Sequence, residues 1–251
     1  MEQIRKPFQG VWNIVRFNWH FYLLSVGFVC LLLLLMWIQP AFYVPLLIAC
    51  LGLLTINVIS LAVSWYVYDL SGLYQFKWLN ASSGYQRIVN INAGFDESTA
   101  ILCRRFPKAE MRVLDFYDPL KHTEVSIRRA RKAYPAYPGT EQINTIKLDL
   151  EDHSTDKIFL ILSAHEIREE QERILFFKEL NRVLHPDGEV FIVEHLRDLP
   201  NFLAYNLGFF HFHSRPTWLK TFEHAELAIQ EEVKLTPFIS TFILVKNGDT
   251  L

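Results

Sequence analysis

Arg87-Ile88-Val89-Asn90-Ile91-Asn92-Ala93-Gly94-Phe95-Asp96-Glu97-Ser98-Thr99 is the stretch that decides the fold. The strand-like residues 87–92 lead through Ala93-Gly94-Phe95 into a helix-start signature, Asp96-Glu97-Ser98-Thr99, followed by Ala100, Ile101, Leu102 and Phe106 at helical spacing. The alternation then repeats. A strand over 111–116 holds Asp115 near its end, a helix covers 123–133, a Pro-rich turn follows at Pro135 and Pro138, and a strand covers 145–150. A buried strand over 157–163, an amphipathic helix over 169–184, a turn at His185-Pro186-Asp187-Gly188 and a second buried strand over 189–194 complete the pattern. Strands alternating with helices, the later ones continuously apolar, predict an α/β, doubly wound, mostly parallel sheet.

Such sheets bind ligands beyond the carboxyl ends of the strands, near the point where strand order reverses. The rule selects Asn92 to Asp96, Asp115, Asp149, Ser163 to Glu166, and Glu194 with His195. Asp115, about twenty residues after the first turn, suits the two hydroxyls of a ribose, because one carboxylate accepts both hydrogen bonds. The competing reading is a turn or cap carboxylate. Asp149 is placed to accept from an adenine amino group with Leu150 on the ring, or equally to be a solvated loop acid.

On these residues the chain resembles the class I S-adenosylmethionine-dependent methyltransferases, particularly the branch that includes the quinone-biosynthesis C-methyltransferases. Glu179-Leu180-Asn181-Arg182-Val183-Leu184-His185-Pro186-Asp187-Gly188 looks like that family's helix, turn and start of the fifth strand. Val113-Leu114-Asp115 is similar to its ribose-binding strand, and Leu235-Thr236-Pro237-Phe238-Ile239-Ser240-Thr241-Phe242 to its closing strands. The resemblance spans roughly residues 87–246. It implies a seven-stranded Rossmann-like methyltransferase sheet with a reversed last strand and S-adenosyl-L-methionine as cofactor. It assigns the ribose to Asp115 beside Phe116, the adenine to Asp149 and Leu150, and the methionine end to Asn90, Asn92, Gly94 and Asp96. The family's acid followed by Gly-x-Gly-x-Gly reads here as Asn90-Ile91-Asn92-Ala93-Gly94-Phe95-Asp96, with only Gly94 in the expected place. Asn92 tolerates the left-handed backbone that a glycine would supply, and Asp96 is suited to cap the following helix.

Toward the N-terminus, no Asp, Glu, Lys or Arg lies between Arg16 and Asp69. Gln39, Pro40 and Pro45 divide this interval into apolar runs of about 17–38 and 44–68, each long enough as a helix to cross the roughly 30 Å hydrocarbon core. Trp65, Tyr66 and Tyr68 stand where an aromatic belt meets headgroups. A cleaved signal peptide fits poorly, because the first run is too long and a second follows at once. Residues 1–69 therefore read as a two-helix membrane anchor, 70–86 as an interfacial linker or a segment packed on the domain, and 87–251 as the globular domain. Arg5, Lys6 and Arg16 before the hairpin and Lys77 and Arg87 after it put both ends in the cytoplasm by the positive-inside tendency.

The 251 residues are 51% hydrophobic and 21% charged, values that average a lipid-like third with ordinary globular sequence. A net charge of −2 without a basic run argues against nucleic acid as partner. Cys30, Cys50 and Cys103 offer neither a disulfide framework nor a Cys-based zinc site.

Methyl transfer from a sulfonium needs an aligned nucleophile and, for some acceptors, removal of its proton. His165 with Glu166, and Glu194 with His195, stand at the ends of the fourth and fifth strands as candidate catalytic groups, although either histidine could be structural. Residues 200–212 carry no Asp, Glu, Lys or Arg but are rich in Phe, Leu and Tyr, and run into His211, His213 and Arg215. They read as an apolar lid with substrate-binding polar groups, or as an insertion packed on the membrane helices. His211 and His213 are two apart and face opposite ways on an extended chain, so no metal site is expected. The whole points to a membrane-anchored methyltransferase acting on a hydrophobic acceptor such as a quinol, a lipid phenol or a lipid amine. The partners expected are the bilayer and that acceptor, with a membrane-protein partner or a second copy of the chain left open. The alternative is a non-catalytic docking subunit of the same fold.

Overall fold

The computed structural model describes residues 5–79 and 84–248. Two apolar helices, α1 (Gln9–Ile38) and α2 (Tyr43–Trp65), joined by a single turn of 3-10 helix at Pro40–Phe42, form an antiparallel hairpin. At 30 residues α1 is about 45 Å long, more than a bilayer core requires. The surplus lies on the globular domain: Asn13 and Phe17 are buried there, and the helix departs from helical geometry at Asn18 before running on as an apolar rod. Beyond that point Phe21, Leu24, Phe28 and Leu33 of α1, and Ile48, Leu51 and Val58 of α2, face outward. Asn57 ties the rods together by donating to Ser25 Oγ at 2.9 Å.

The two ends of the hairpin are locked to each other. Asp69, in the π-helical turn after α2, accepts from the N–H groups of Gly10 at 2.8 Å and Val11 at 2.9 Å, satisfying donors that a helix start leaves unpaired. Gly10 permits this approach: a Cβ there would stand 2.3 Å from that of Tyr68.

The domain is a seven-stranded sheet of order β3-β2-β1-β4-β5-β7-β6, parallel except for β7. Its strands are β1 (Arg87–Asn92), β2 (Glu110–Asp115), β3 (Glu141–Gln142), β4 (Thr155–Ile161), β5 (Leu184–His195), β6 (Leu227–Thr236) and β7 (Ile239–Lys246). Side chains alternate across it as the pleat requires. Val89, Ile91, Ile158, Leu160, Val190 and Ile192 enter one core with Phe176, Phe177 and Leu180 of α5 (Glu170–Val183) and Trp218 and Phe222 of α7 (Arg215–His224). Ile88, Phe159 and Phe191 enter a second core with Leu102 of α3 (Thr99–Arg105) and with Phe76 and Leu79. The described part of the expected linker thus closes one face of the sheet, so it is packed on the domain.

Two expectations are corrected. The third strand is the two-residue Glu141–Gln142, paired with Leu114 and Asp115, and not 145–150. The turn expected at 185–188 is absorbed into β5 as an irregularity, with Leu184 opposite Thr155 and Glu189 opposite Lys157.

Candidate functional site

Strand order reverses between β1 and β4, so the crevice beyond their carboxyl ends is where the fold places a ligand. Gly94 occupies it with φ +92°, a conformation suited to glycine, and Asn92 Oδ1 accepts from its N–H at 2.9 Å. Asp96 Oδ1 accepts from the N–H groups of Ser98 at 2.9 Å and Thr99 at 3.0 Å, the cap its sequence position suggested. Asn90 donates to Ser98 Oγ at 2.9 Å and Thr99 Oγ1 at 2.7 Å.

Asp115 lies at the end of β2, beside β1 in the sheet. It is buried and already engaged. Oδ1 accepts from the Tyr117 N–H at 2.8 Å and Oδ2 from Arg131 Nη1 at 2.5 Å. Arg131, on α4 (Val125–Ala133), lies over the Tyr117 ring and fills the space in front of Gly94, where an added Cβ would meet Arg131 Nη1 at 2.7 Å. The start of α1 roofs this crevice. Glu97 accepts from Arg5 at 2.9 Å, Gln9 at 3.1 Å and Tyr74 at 3.1 Å, Tyr134 donates to Asn13 at 2.9 Å, and Phe17 packs edge-on against Phe95 and Tyr134.

Beyond β4, Leu162 adopts a left-handed φ of +53° and turns the chain into a 3-10 turn, Ala164–Glu166. His165 Nδ1 then meets Glu194 Oε2 at 2.6 Å, and Glu194 Oε1 accepts the His165 N–H at 3.1 Å. Glu194 is fully buried at the end of β5. A carboxylate on Nδ1 takes that nitrogen's proton as a hydrogen bond and leaves an electron pair on Nε2. That nitrogen faces Glu166 Oε1 at 3.6 Å. His211 approaches from the 3-10 segment Asn206–His211, its Nε2 3.4 Å from the same Glu166 oxygen and its Nδ1 2.8 Å from Glu124 Oε1. Burial works against charge on both partners. The bonds to Glu124 and Glu166 nevertheless raise His211 to about 9, and the hydrogen bond from His211, with the electrostatic pull of His165 and His211, lowers Glu166 to about 2.

The remaining expected residues lie elsewhere. His195 is buried, stacked on Phe212, with Nδ1 2.9 Å from Asn201 Oδ1 and Nε2 2.8 Å from Tyr68 Oη, so neither ring nitrogen is open to a substrate. Burial holds it down at about 4. His213 turns away from His211 to pack edge-on against Trp218. Arg215 forks onto Glu232, with Nη2 at 2.7 Å and Nε at 2.9 Å from Oε2. Phe116 packs into the core against Phe176. Asp149 and Leu150, following the misplaced third strand, line a cleft with Arg87, Glu110 and Arg112 at the amino ends of β1 and β2, across the sheet from Asp115. Reading by residue missed Glu97, Glu124 and Arg131, whose roles depend on elements that meet only in space.

Residues 93–192 match a family model described as a methyltransferase domain. No curated protein matches the chain in sequence. Among solved structures, a SAM-dependent methyltransferase from Aquifex aeolicus is 17% identical, with a TM-score of 0.52 over 71% of this chain and 94% of that one. A SAM-dependent methyltransferase from Methanosarcina mazei is 16% identical, with a TM-score of 0.48 over 66% and 95%. The domain carries the methyltransferase fold, and the cofactor that goes with the matched domain is S-adenosylmethionine.

Two polar atoms of the crevice suit the charged end of that cofactor, while Arg131 fills the space in front of Gly94. Asn90 Oδ1 and Asp96 Oδ2 are buried acceptors with no donor among the described residues. Such orphans cost about 1–3 kcal/mol each, and the ammonium of a methionine moiety supplies the missing N–H groups. Asp115, the carboxylate expected to take ribose hydroxyls, has its Oδ2 occupied by Arg131.

Proposed function

We propose that this protein is a membrane-anchored S-adenosylmethionine-dependent methyltransferase acting on a hydrophobic acceptor presented from the bilayer: a quinol, as in the quinone-biosynthesis branch, a lipid phenol or a lipid amine. One observation carries the reading. The apolar hairpin docks on the carboxyl-end face of the sheet, α1 over the β1 crevice through Asn13 and Glu97, and the end of α2 on β5 through Tyr68 and His195. Lipid and cofactor crevice thus meet on one face. Apolar side chains standing outward along α2 and along α1 beyond Asn18 are what a bilayer removes from water, at about 25 cal/mol per Å². The flanking basic residues support a cytoplasmic domain and N-terminus. Leu199, Leu203, Leu207 and Phe210 are exposed on the segment beside α2, an apolar threshold for an acceptor leaving the membrane.

Bound S-adenosylmethionine supplies an electrophilic sulfonium methyl. Asn90 and Asp96 would hold its amino-acid end, and Asp115 would hold the ribose in place of Arg131. His165, oriented by Glu194, presents its Nε2 electron pair on the acceptor side, and the roof of α1 excludes water.

The Arg131–Asp115 pair also favours a second reading, a non-catalytic docking subunit in which the arginine permanently replaces the ribose. Calorimetry on the detergent-solubilised full chain decides between them. Micromolar binding of S-adenosylmethionine, abolished by Asp115→Ala, supports the enzyme. Absence of binding by the wild-type protein rejects it. Lipid extracts of cells with and without the protein, compared for species differing by one methyl group, then identify the acceptor.

A further inference from the structure

We propose that His165, Glu166 and His211 bind a divalent transition-metal ion, with His165 Nε2, one Glu166 carboxylate oxygen and His211 Nε2 as ligands. The three ligand atoms lie within 4.8 Å of one another, and Glu166 Oε1 is 3.6 Å from one imidazole nitrogen and 3.4 Å from the other. Atoms about 2.0–2.1 Å from a common tetrahedral ion stand about 3.4 Å apart, so side-chain torsions need to close only the remaining gap.

The stronger sign lies behind the ligands. Each histidine has its far nitrogen on a carboxylate, His165 Nδ1 on Glu194 at 2.6 Å and His211 Nδ1 on Glu124 at 2.8 Å. This carboxylate-to-histidine arrangement fixes the tautomer and aims the Nε2 electron pair at a metal. Two such rings from separate elements converge on one further carboxylate. The sequence-based expectation weighed His211 against its neighbour His213, whereas the groups facing His211 come from the turn after β4 and the residue before α4.

Two imidazoles and a carboxylate suit zinc or ferrous iron better than magnesium or calcium. Three protein ligands leave a coordination position open. On the methyltransferase reading above, that position would take the acceptor's oxygen; with His165 Nε2 spent on the ion, the ion in place of a free imidazole would assist loss of the acceptor's proton, since a coordinated hydroxyl ionises far more readily than a free one. The acceptor class narrows accordingly from an amine to a quinol or phenol.

The test uses full-length protein in detergent, stripped with a chelator and titrated calorimetrically with zinc chloride alone. One ion per chain is expected, with binding weakened at least about tenfold in His211→Ala and Glu166→Gln and unchanged in His185→Ala. Glu124→Gln keeps all three ligand atoms and is expected to weaken binding about 10–100-fold; circular dichroism checks that each variant stays folded. Cobalt in place of zinc should give the visible absorption of a four-coordinate site. No saturable ion in the wild-type protein, or undiminished binding in folded His211→Ala and Glu166→Gln, overturns the proposal. Titration with S-adenosylmethionine on the same samples separates the two claims. Zinc without cofactor binding leaves the metal site standing and rejects the enzyme, and cofactor binding without zinc does the reverse.

Discussion

The Tyr68 hydroxyl donates to Nε2 of His195 across 2.8 Å, joining the turn after the second apolar helix to the last residue of β5. The direction follows from the neighbouring bonds. Asn201 spends its amide N–H groups on Asp198 and Phe238, so its oxygen accepts from His195 Nδ1 and leaves Nε2 as the acceptor for Tyr68. A histidine expected to act as a base is instead a neutral rivet between the apolar hairpin and the domain.

This rivet makes the protein acid-sensitive. His195 is held at about 4 by burial, against about 6.5 when unfolded. Both states are neutral above pH 6.5, and between pH 6.5 and 4 the unfolded chain binds a proton that the folded one refuses. Stability therefore falls as pH drops through that window, by up to about 3 kcal/mol from this residue. His195→Gln, compared with wild type by thermal unfolding from pH 7.5 to 4.5, should show a shallower loss. Parallel curves would refute the assignment.

Arg131→Leu should destabilise the cofactor-free protein by about 3 kcal/mol, since the buried Asp115 carboxylate loses its charged partner. On the proposed function, the same change clears the ribose position. S-adenosylhomocysteine should then raise the melting temperature more in the variant than in wild type. An equal or smaller rise would mean that Arg131 is not the obstacle.

Glu97→Ala should release the roof. Its carboxylate gathers Arg5, Gln9, Asn13 and Tyr74, and Arg5 is left without its partner in a largely buried place. A cost of about 2–3 kcal/mol is expected, below the fully buried range because Arg5 keeps some solvent. Hydrogen exchange at residues 9–17 should accelerate while β4 and β5 stay protected. Uniform exchange changes would count against a local roof.

Gly10→Ala sets two effects against each other. Alanine favours a helix by about 1 kcal/mol over glycine, but the new methyl would overlap Tyr68, and relieving that costs about 1–3 kcal/mol. A net loss of stability is expected in thermal unfolding, and a gain would show that the two helix ends are not in contact.

Much of the fold was legible because local patterns report it directly. The run 87–92 into Gly94 and Asp96 gave a strand, a left-handed turn and a capped helix, each a matter of a few neighbouring residues. The third strand was misplaced because two residues, Glu141 and Gln142, carry no period to read, and their strand character comes only from pairing with Leu114 and Asp115. That error carried Asp149 and Leu150 to the wrong end of the sheet.

The chain's own order of residues determined the two uncharged apolar runs, the alternation of strand and helix, and the acid closing β2, since length, periodicity and turn chemistry are local properties. Only the tertiary structure decided that Arg131 holds Asp115, that Glu124 and Glu194 orient two histidines toward Glu166, and that His195 is spent on Tyr68. Those pairings are separated by 16 to 127 residues, and a side chain's hydrogen-bond partner is set by which elements pack together.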